Sequence, residues 1–371
     1  MFFGVLALVG VTAASSIASD TLLAYEEQVN GRAATVTGYV DIPQEDLEFA
    51  APGIAETLNT RLGETGSAVV STESTMFIRT PEEAENNEPV RSLVVEWDAG
   101  DLSVIRRLAT TTGSFPLPDR PYPPLLAVNE VAARQLGYPD QTRFMLMTTP
   151  EGAGAQFTIV SVIADGASDP KAYGNLSAFG NLFEAAEIEP AAVRVTSTQI
   201  AESASSQLIA DALVDHQLQL TAPPTRTDTT WRVAAQIDAL SFIFTVFAVV
   251  MLLIAAMGLL NVGLSSVNER SRELVIRRAI GAHRRDVFML VMGSSLAIAV
   301  VVAIVATGAA IVLVYGIVPS MLPAGSVVNT PSFPWAACLV GCAAATLTAV
   351  AGAAVPAIKA ARLPVALALR E

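Results

Sequence analysis

The chain has 371 residues, 52% of them hydrophobic and 15% charged, and a net charge of −13. That is too apolar for an ordinary water-soluble protein and too polar for one lying wholly in lipid. The charge is also partitioned: residues 20–232 hold 30 acids and 13 basic residues, a net of −17, whereas the remainder holds 5 acids and 9 basic residues, a net of +4; the acidic surface excludes nucleic acid as a partner, because phosphate binding needs basic patches.

Four apolar runs are long enough to consider as membrane spans, each needing about 20 mostly apolar residues. The first, residues 1–18, is expected to be a retained membrane helix; signal-peptide cleavage after Ser16-Ile17-Ala18 is the alternative, although no basic residue precedes the run. The acidic stretch that follows reads as mixed α and β. Strands are expected at residues 34–40, 67–71, 91–97, 125–129, 143–148, 156–163 and 191–196, and helices at 53–62, 101–110, 130–136 and 198–215. Residues 143–148 and 156–163 read as a strand pair across the turn Gly152-Ala153-Gly154. Five prolines at 116–124 mark a division between two subdomains. This region has no cysteine, so it folds on its apolar core alone.

The second run, residues 239–264, is preceded by Asp238, which reads as an interfacial, solvated acid. The segment 265–286 then carries six arginines, Arg270, Arg272, Arg277, Arg278, Arg284 and Arg285, against Glu269, Glu273 and Asp286. Guanidinium groups resist translocation, so this loop is expected in the cytoplasm. Glu269 with Arg272 and Glu273 with Arg277 stand at helical spacing, and Gly281 is positioned to end the helix. Charge alone leaves two readings open, a topology signal or a docking surface for a soluble partner.

The third run covers residues 287–318 and the fourth residues 335–358. The proline-rich, uncharged stretch 315–334 between them then faces outward, as does the acidic domain, and Lys359, Arg362 and Arg370 follow in a cytoplasmic tail. The fourth run carries small residues every four positions: Ala337, Gly341, Ala345, Ala349 and Ala353. Such a column suits close helix packing, within one subunit or between two. Cys338 and Cys342 share a helix face and read as small packing residues.

Nothing in the sequence supports catalysis. His216 and His283 are far apart, and no HExxH, CxxC, GxSxG or GxxxxGK[ST] pattern occurs. The interiors of the last three apolar runs hold no charge, which argues against a proton-coupled pump. Any energy for work has to enter through the arginine-rich loop.

The stretch NVGLSSVNERSRELVIRRAIGAHRRDV, residues 261–287, resembles the cytoplasmic connector of the MacB/FtsX-like permeases of ABC transporters. PAIKAARLPVALALRE, residues 356–371, resembles the closing motif of that family, one residue short near Leu363-Pro364. VNEVAARQLG at 128–137 and FTIVSVIAD at 157–165 are similar to its exterior domain. The resemblance implies a membrane protein with four transmembrane α-helices plus an α/β extracytoplasmic domain, a porter-like part with an inserted β-rich subdomain. The implied boundaries are 1–20 for the first helix, 21–232 for the exterior domain with its insertion at about 113–190, and 233–371 for three helices with a coupling loop at 265–286. It further implies a dimer of permeases, homomeric or heteromeric, in the cell membrane. A separate cytoplasmic ATPase would bind ATP and magnesium, with no cofactor or metal on this chain, and an extracytoplasmic partner protein is conceivable. ATPase coupling falls on Glu269, Arg270, Arg272, Glu273, Arg277, Arg278, Gly281 and Ala282. The implied function is that of an ATP-driven exporter or mechanotransmission complex. The alternatives are an FtsX-like regulator of cell-wall enzymes and a membrane-anchored sensing or binding protein.

Overall fold

A computed structural model describes residues 2–86, 88–118, 124–152, 154–178, 188–317, 333 and 335–363. Most of the proline-rich stretch 315–334, the tail beyond Leu363, parts of the expected insertion, Ala153 of the expected turn and the side chain of Ala337 lie outside these residues. The chain divides into two units. One holds residues 21–233, and the other holds residues 2–20 and the described residues from 234 on.

The first unit is built on one sheet. Its strands are β1 (Thr35–Val40), β2 (Ser67–Arg79), β3 (Arg91–Ala99), β4 (Ala109–Thr112), β5 (Leu125–Asn129), β6 (Arg143–Met147), β7 (Gly154–Ala164), β8 (Lys171–Asn175), β9 (Ala191–Thr196) and β10 (Leu220–Arg226). Their spatial order is β10-β1-β9-β2-β3-β8-β5-β7-β4, with β6 bridging β2 and β7. β3 pairs with β8 in parallel, Val95 opposite Ala172 and Trp97 opposite Gly174. The helices of this unit are α2 (Leu47–Leu62), α3 (Pro81–Glu85), α4 (Leu102–Ile105), α5 (Glu130–Leu136) and α6 (Glu202–Asp215), together with the end of α1 (Phe2–Val29).

Alternation along each strand sends successive side chains to opposite faces. Ala68, Val70, Val95, Trp97, Leu126, Val128, Ala172, Val193 and Val195 share one core with Ile54 and Leu58 of α2, Ala132 of α5 and Ile209 of α6. Their neighbours Val69, Ala127 and Tyr173 fill a smaller core on the other face, against Leu102 and Ile105. The larger core runs through strands before and after residue 113 alike.

Several boundaries differ from the sequence expectation for identifiable reasons. The stretch expected as one helix at 101–110 is a four-residue turn of helix followed by β4. Arg106 leaves the helix in extended conformation because its side chain is drawn into the interior. The strand begun at Ser67 continues to Arg79, long enough to pair with β3, β6 and β9. β10 escapes sequence reading because it contains Pro223 and Pro224. It sits at the sheet edge, where a missing N–H costs no ladder bond.

The second unit holds helices that are long and apolar enough to cross a membrane. They are α1, α7 (Thr230–Glu269), α9 (Arg284–Val312, prolonged by a wider turn through Ile317) and α10 (Trp335–Ala361). Between α7 and α9 lies the short α8 (Ser271–Ala279). Ala299, Ala303, Ala306 and Ala310 of α9 and Ala345, Ala349, Ala353 and Ala357 of α10 are buried. The two helices pack along their length on these columns of small side chains. A side chain at Gly352 would stand 2.8 Å from the carbonyl oxygen of Ala256, and one at Gly263 would stand 2.8 Å from Cγ of Pro356, so α7 and α10 approach closely at these two glycines.

Trp97 is fully buried, donates from Nε1 to Oγ of Ser74 at 2.9 Å and packs edge-on against Phe157. A Cβ added at Gly174 would stand 2.4 Å from the Trp97 ring. Gly174→Ala is therefore expected to destabilise the sheet by ~1–3 kcal/mol through overpacking. Calorimetry of the full chain should show a lower transition temperature, and an unchanged one would refute this account of the core.

Candidate functional site

Two groups of residues stand out, one in each unit. In the membrane unit it is the elbow formed by α8. α7 ends at Glu269, and Arg270 interrupts the helical path while keeping its N–H on the Ser266 carbonyl at 3.0 Å. α8 stops because Gly281 takes φ = +116°, a conformation that favours glycine. The amides of Gly281 and Ala282 then close on the carbonyls of Arg278 and Arg277 at 3.2 and 3.1 Å. α9 begins at once, with the Asp286 carboxylate accepting from the His283 amide at 2.8 Å.

The two sides of α8 differ. Leu274 and Val275 are buried, and Leu274 packs with Val267 of α7, Val287 of α9 and Ala360 of α10. Half-buried Arg278 donates to the carbonyl of Leu363, and Lys359 donates to Oδ1 of Asn268 at 3.1 Å. The elbow is thus tied to the end of α10. On the other side Arg270, Arg272, Glu273, Arg277, Arg284 and Arg285 are exposed. Glu273 and Arg277 form the expected i, i+4 pair at 2.6 Å, but both are half exposed, so it adds only ~0.3–0.5 kcal/mol. Glu269 accepts from Ser265 at 3.2 Å rather than pairing with Arg272.

Charge reasoning overlooked two residues on this surface. Ile276 is 45% exposed and Ile280 is 82% exposed, one turn apart among the arginines. Apolar side chains flanked by arginine are what partner-binding surfaces concentrate. The signal was in the sequence, as an isoleucine pair left over once Leu274 and Val275 fill the inner side. Of the proposed packing column, Ala345, Ala349 and Ala353 are buried, and a Cβ at Gly341 would stand 2.0 Å from Cγ2 of Val9.

In the sheet-bearing unit the site is a buried charge cluster. Glu96 lies at the centre of the sheet with its side chain fully enclosed, on the face opposite Trp97. Three cations reach it: Arg194 at 2.9 Å, Lys171 at 2.7 Å and Arg106 at 3.2 Å. Lys171 also binds Glu73 at 2.6 Å, and the Tyr173 hydroxyl donates to Asp165 at 2.7 Å. Burial opposes the charge on Glu96, but the coulombic pull of Arg194, Lys171 and Arg106 outweighs it and holds the carboxyl well below its ordinary range. Asp98, two residues along β3, behaves in the opposite way. Burial first and the charge of Glu96 second push it up to about 8, and its Oδ1 has no hydrogen-bond partner among the described residues.

These opposite shifts fix the pH dependence of folding. Asp98 is raised from 3.8 to about 8, so the folded state prefers it protonated, and its cost to stability grows as pH rises from about 4 to 8. Glu96 is depressed, so its contribution is complete above its unfolded value of 4.5 and is lost only in stronger acid. Between pH 5 and 8 the Asp98 effect is the one left to vary. Asp98→Asn should raise the transition temperature at pH 8, by ~2–4 °C for each kcal/mol recovered, and by less at pH 5. Parallel wild-type and variant pH profiles would contradict this.

Residues 245–365 match the family model described as FtsX-like permease C-terminal. The macrolide export ATP-binding/permease protein MacB of Brucella abortus is 27% identical over 235 residues, covering 61% of this chain and 33% of that protein. The pyoverdine export ATP-binding/permease protein PvdT of Pseudomonas putida is 32% identical over 127 residues, 34% of this chain and 18% of its own length. The chain thus spans about a third or less of the length of these curated relatives. Among solved structures, the periplasmic region of MacB from Actinobacillus actinomycetemcomitans aligns at 11% identity and a TM-score of 0.37, covering 55% of this chain and 93% of that region.

Proposed function

We propose, from the premise that the chain is a MacB/FtsX-like ABC permease, that it couples a cytoplasmic ATPase to movement of its acidic exterior domain in an ATP-driven export complex. The observation that carries this reading is the elbow. Its inner side is held by Leu274 and the end of α10, while its outer side offers Arg272, Arg277, Ile276 and Ile280 to solvent. A helix fastened on one side and uncovered on the other is suited to receive force from a docked protein.

No phosphate-binding loop occurs within these 371 residues, so ATP and magnesium are assigned to a nucleotide-binding unit outside them. The charge partition supports a topology with the elbow and tail in the cytoplasm and the acidic domain outside. In this arrangement α7 crosses the membrane as one unbroken helix of 40 residues. At 1.5 Å per residue it spans ~60 Å, twice the hydrocarbon thickness, and can act as a rigid rod. Two copies working together would provide two elbows for two nucleotide-binding subunits. Within the exterior unit, the strands between residues 113 and 190 are read as the inserted subdomain.

The test is co-purification of the tagged full chain from its own membranes, with ATPase activity measured in the eluate. Arg272→Glu with Arg277→Glu, and separately Ile280→Asp, should each reduce the co-purifying ATPase activity at least tenfold while leaving permease yield unchanged. Undiminished activity in both variants would overturn the assignment of the elbow as the docking surface.

A further inference from the structure

The last turn of α1 ends in an unusual cap. A helix leaves its final four carbonyls without helical partners. Here the Glu26 carbonyl accepts from the Asn30 amide at 2.8 Å, the Glu27 carbonyl from the Arg107 amide at 3.0 Å, and the Gln28 carbonyl from Nε of Arg106 at 2.7 Å. Arg106 is 7% exposed. One nitrogen of its fork binds Glu96 at 3.2 Å, and the other donates to the Asp165 carbonyl at 3.4 Å. Its guanidinium also lies 5.9 Å from the centre of the Tyr173 ring. One buried side chain therefore joins the end of the first apolar helix to the charge cluster, and through Glu96 to Lys171 of β8 and Arg194 of β9.

We infer that Arg106 is a positioning residue that makes displacement of α1 and displacement of the sheet a single event. The physical reason is the shape of guanidinium. It is planar and permanently charged, and it carries donors in several directions, so it can cap a helix carbonyl and bind a carboxylate at once. A cation is also favoured at a helix C-terminus, where the aligned peptide dipoles leave partial negative charge. Lysine could keep the charge beside Glu96 but not the second, divergent bond to Gln28. The adjacent Arg107 reinforces the joint from the surface, its side chain reaching Glu27 at 3.3 Å.

This inference rests on the proposed coupling function. The test is hydrogen exchange, read by mass spectrometry, on the full chain with its ATPase in lipid discs, comparing the ADP state with a non-hydrolysable ATP analogue. Wild type should show nucleotide-dependent exchange both in the last turn of α1 and in β3 and β8. Arg106→Lys should keep the transition temperature within a few degrees and the ATPase rate within about twofold. Its response should persist in α1 and fall at least threefold in β3 and β8. Arg106→Gln should give the same uncoupling. A sheet response equal to wild type in the Lys variant overturns the inference alone. No nucleotide response anywhere in the wild type overturns both the inference and the coupling function.

Discussion

A carboxylate enclosed in the middle of a sheet governs much of the sheet-bearing unit. Isolating an ionised side chain from water costs several kcal/mol, and the cost is met only by close opposite charge. Glu96 has three such partners from three directions, and each brings its own strand or turn with it: Arg194 from β9, Lys171 from β8 and Arg106 from the turn after α4. The strand pairing β9-β2-β3-β8 and the path of residues 102–108 are bound to one another by this requirement as well as by the ladder bonds. Removing all of the cations would leave an uncompensated buried charge, which typically costs ~3–5 kcal/mol, whereas removing one leaves two still facing the carboxylate. Burial and the charge of Glu96 push Asp98 toward its protonated form, which lessens the repulsion between the two neighbouring carboxyls.

The membrane unit is stabilised differently. Lipid offers little hydrophobic drive for one helix to prefer another, so close packing of small side chains has to supply it. Alanine columns line α9 and α10, and the glycines at 263, 341 and 352 admit Pro356, Val9 and the Ala256 carbonyl where a side chain would collide. The apolar side chains that face away, such as Leu253, Ile304, Leu339 and Leu347, are those a hydrocarbon solvent accepts. The elbow sits where this packing ends, and Leu274 fixes its rotation. Which arginines face solvent follows from that one buried leucine and the hydrogen bond of Arg278 to Leu363.

The two sites use arginine in contrasting ways. On α8 the guanidinium groups are mostly solvated, contribute little to stability and remain free to meet a partner. In the sheet-bearing unit Arg106 and Arg194 are drawn inward and define the architecture. Composition does not distinguish these cases, because the distinction lies in what each side chain touches.

Apolar runs of helical length, the step from acidic to basic composition, and the arginine-rich connector with its glycine stop could all be read directly along the chain. Each is a local property: a span is set by about 20 contiguous residues and a turn by three or four. The helix at 130–136 and the strands at 125–129 and 191–196 were legible for the same reason. The Glu96 cluster was not, because residues 73, 96, 106, 165, 171 and 194 are scattered along the chain and meet only after β9, β2, β3 and β8 have lined up in the sheet. Nor was the continuation of α1 to Val29, since Glu26 and Glu27 suggest an exit into solvent while the actual end is set by Arg106 and Arg107. Sequence alone determined which segments suit lipid and which suit water, because that depends on the side chains themselves. Tertiary structure decided which charges are buried and which face of the elbow is offered, because those depend on neighbours that only folding assembles.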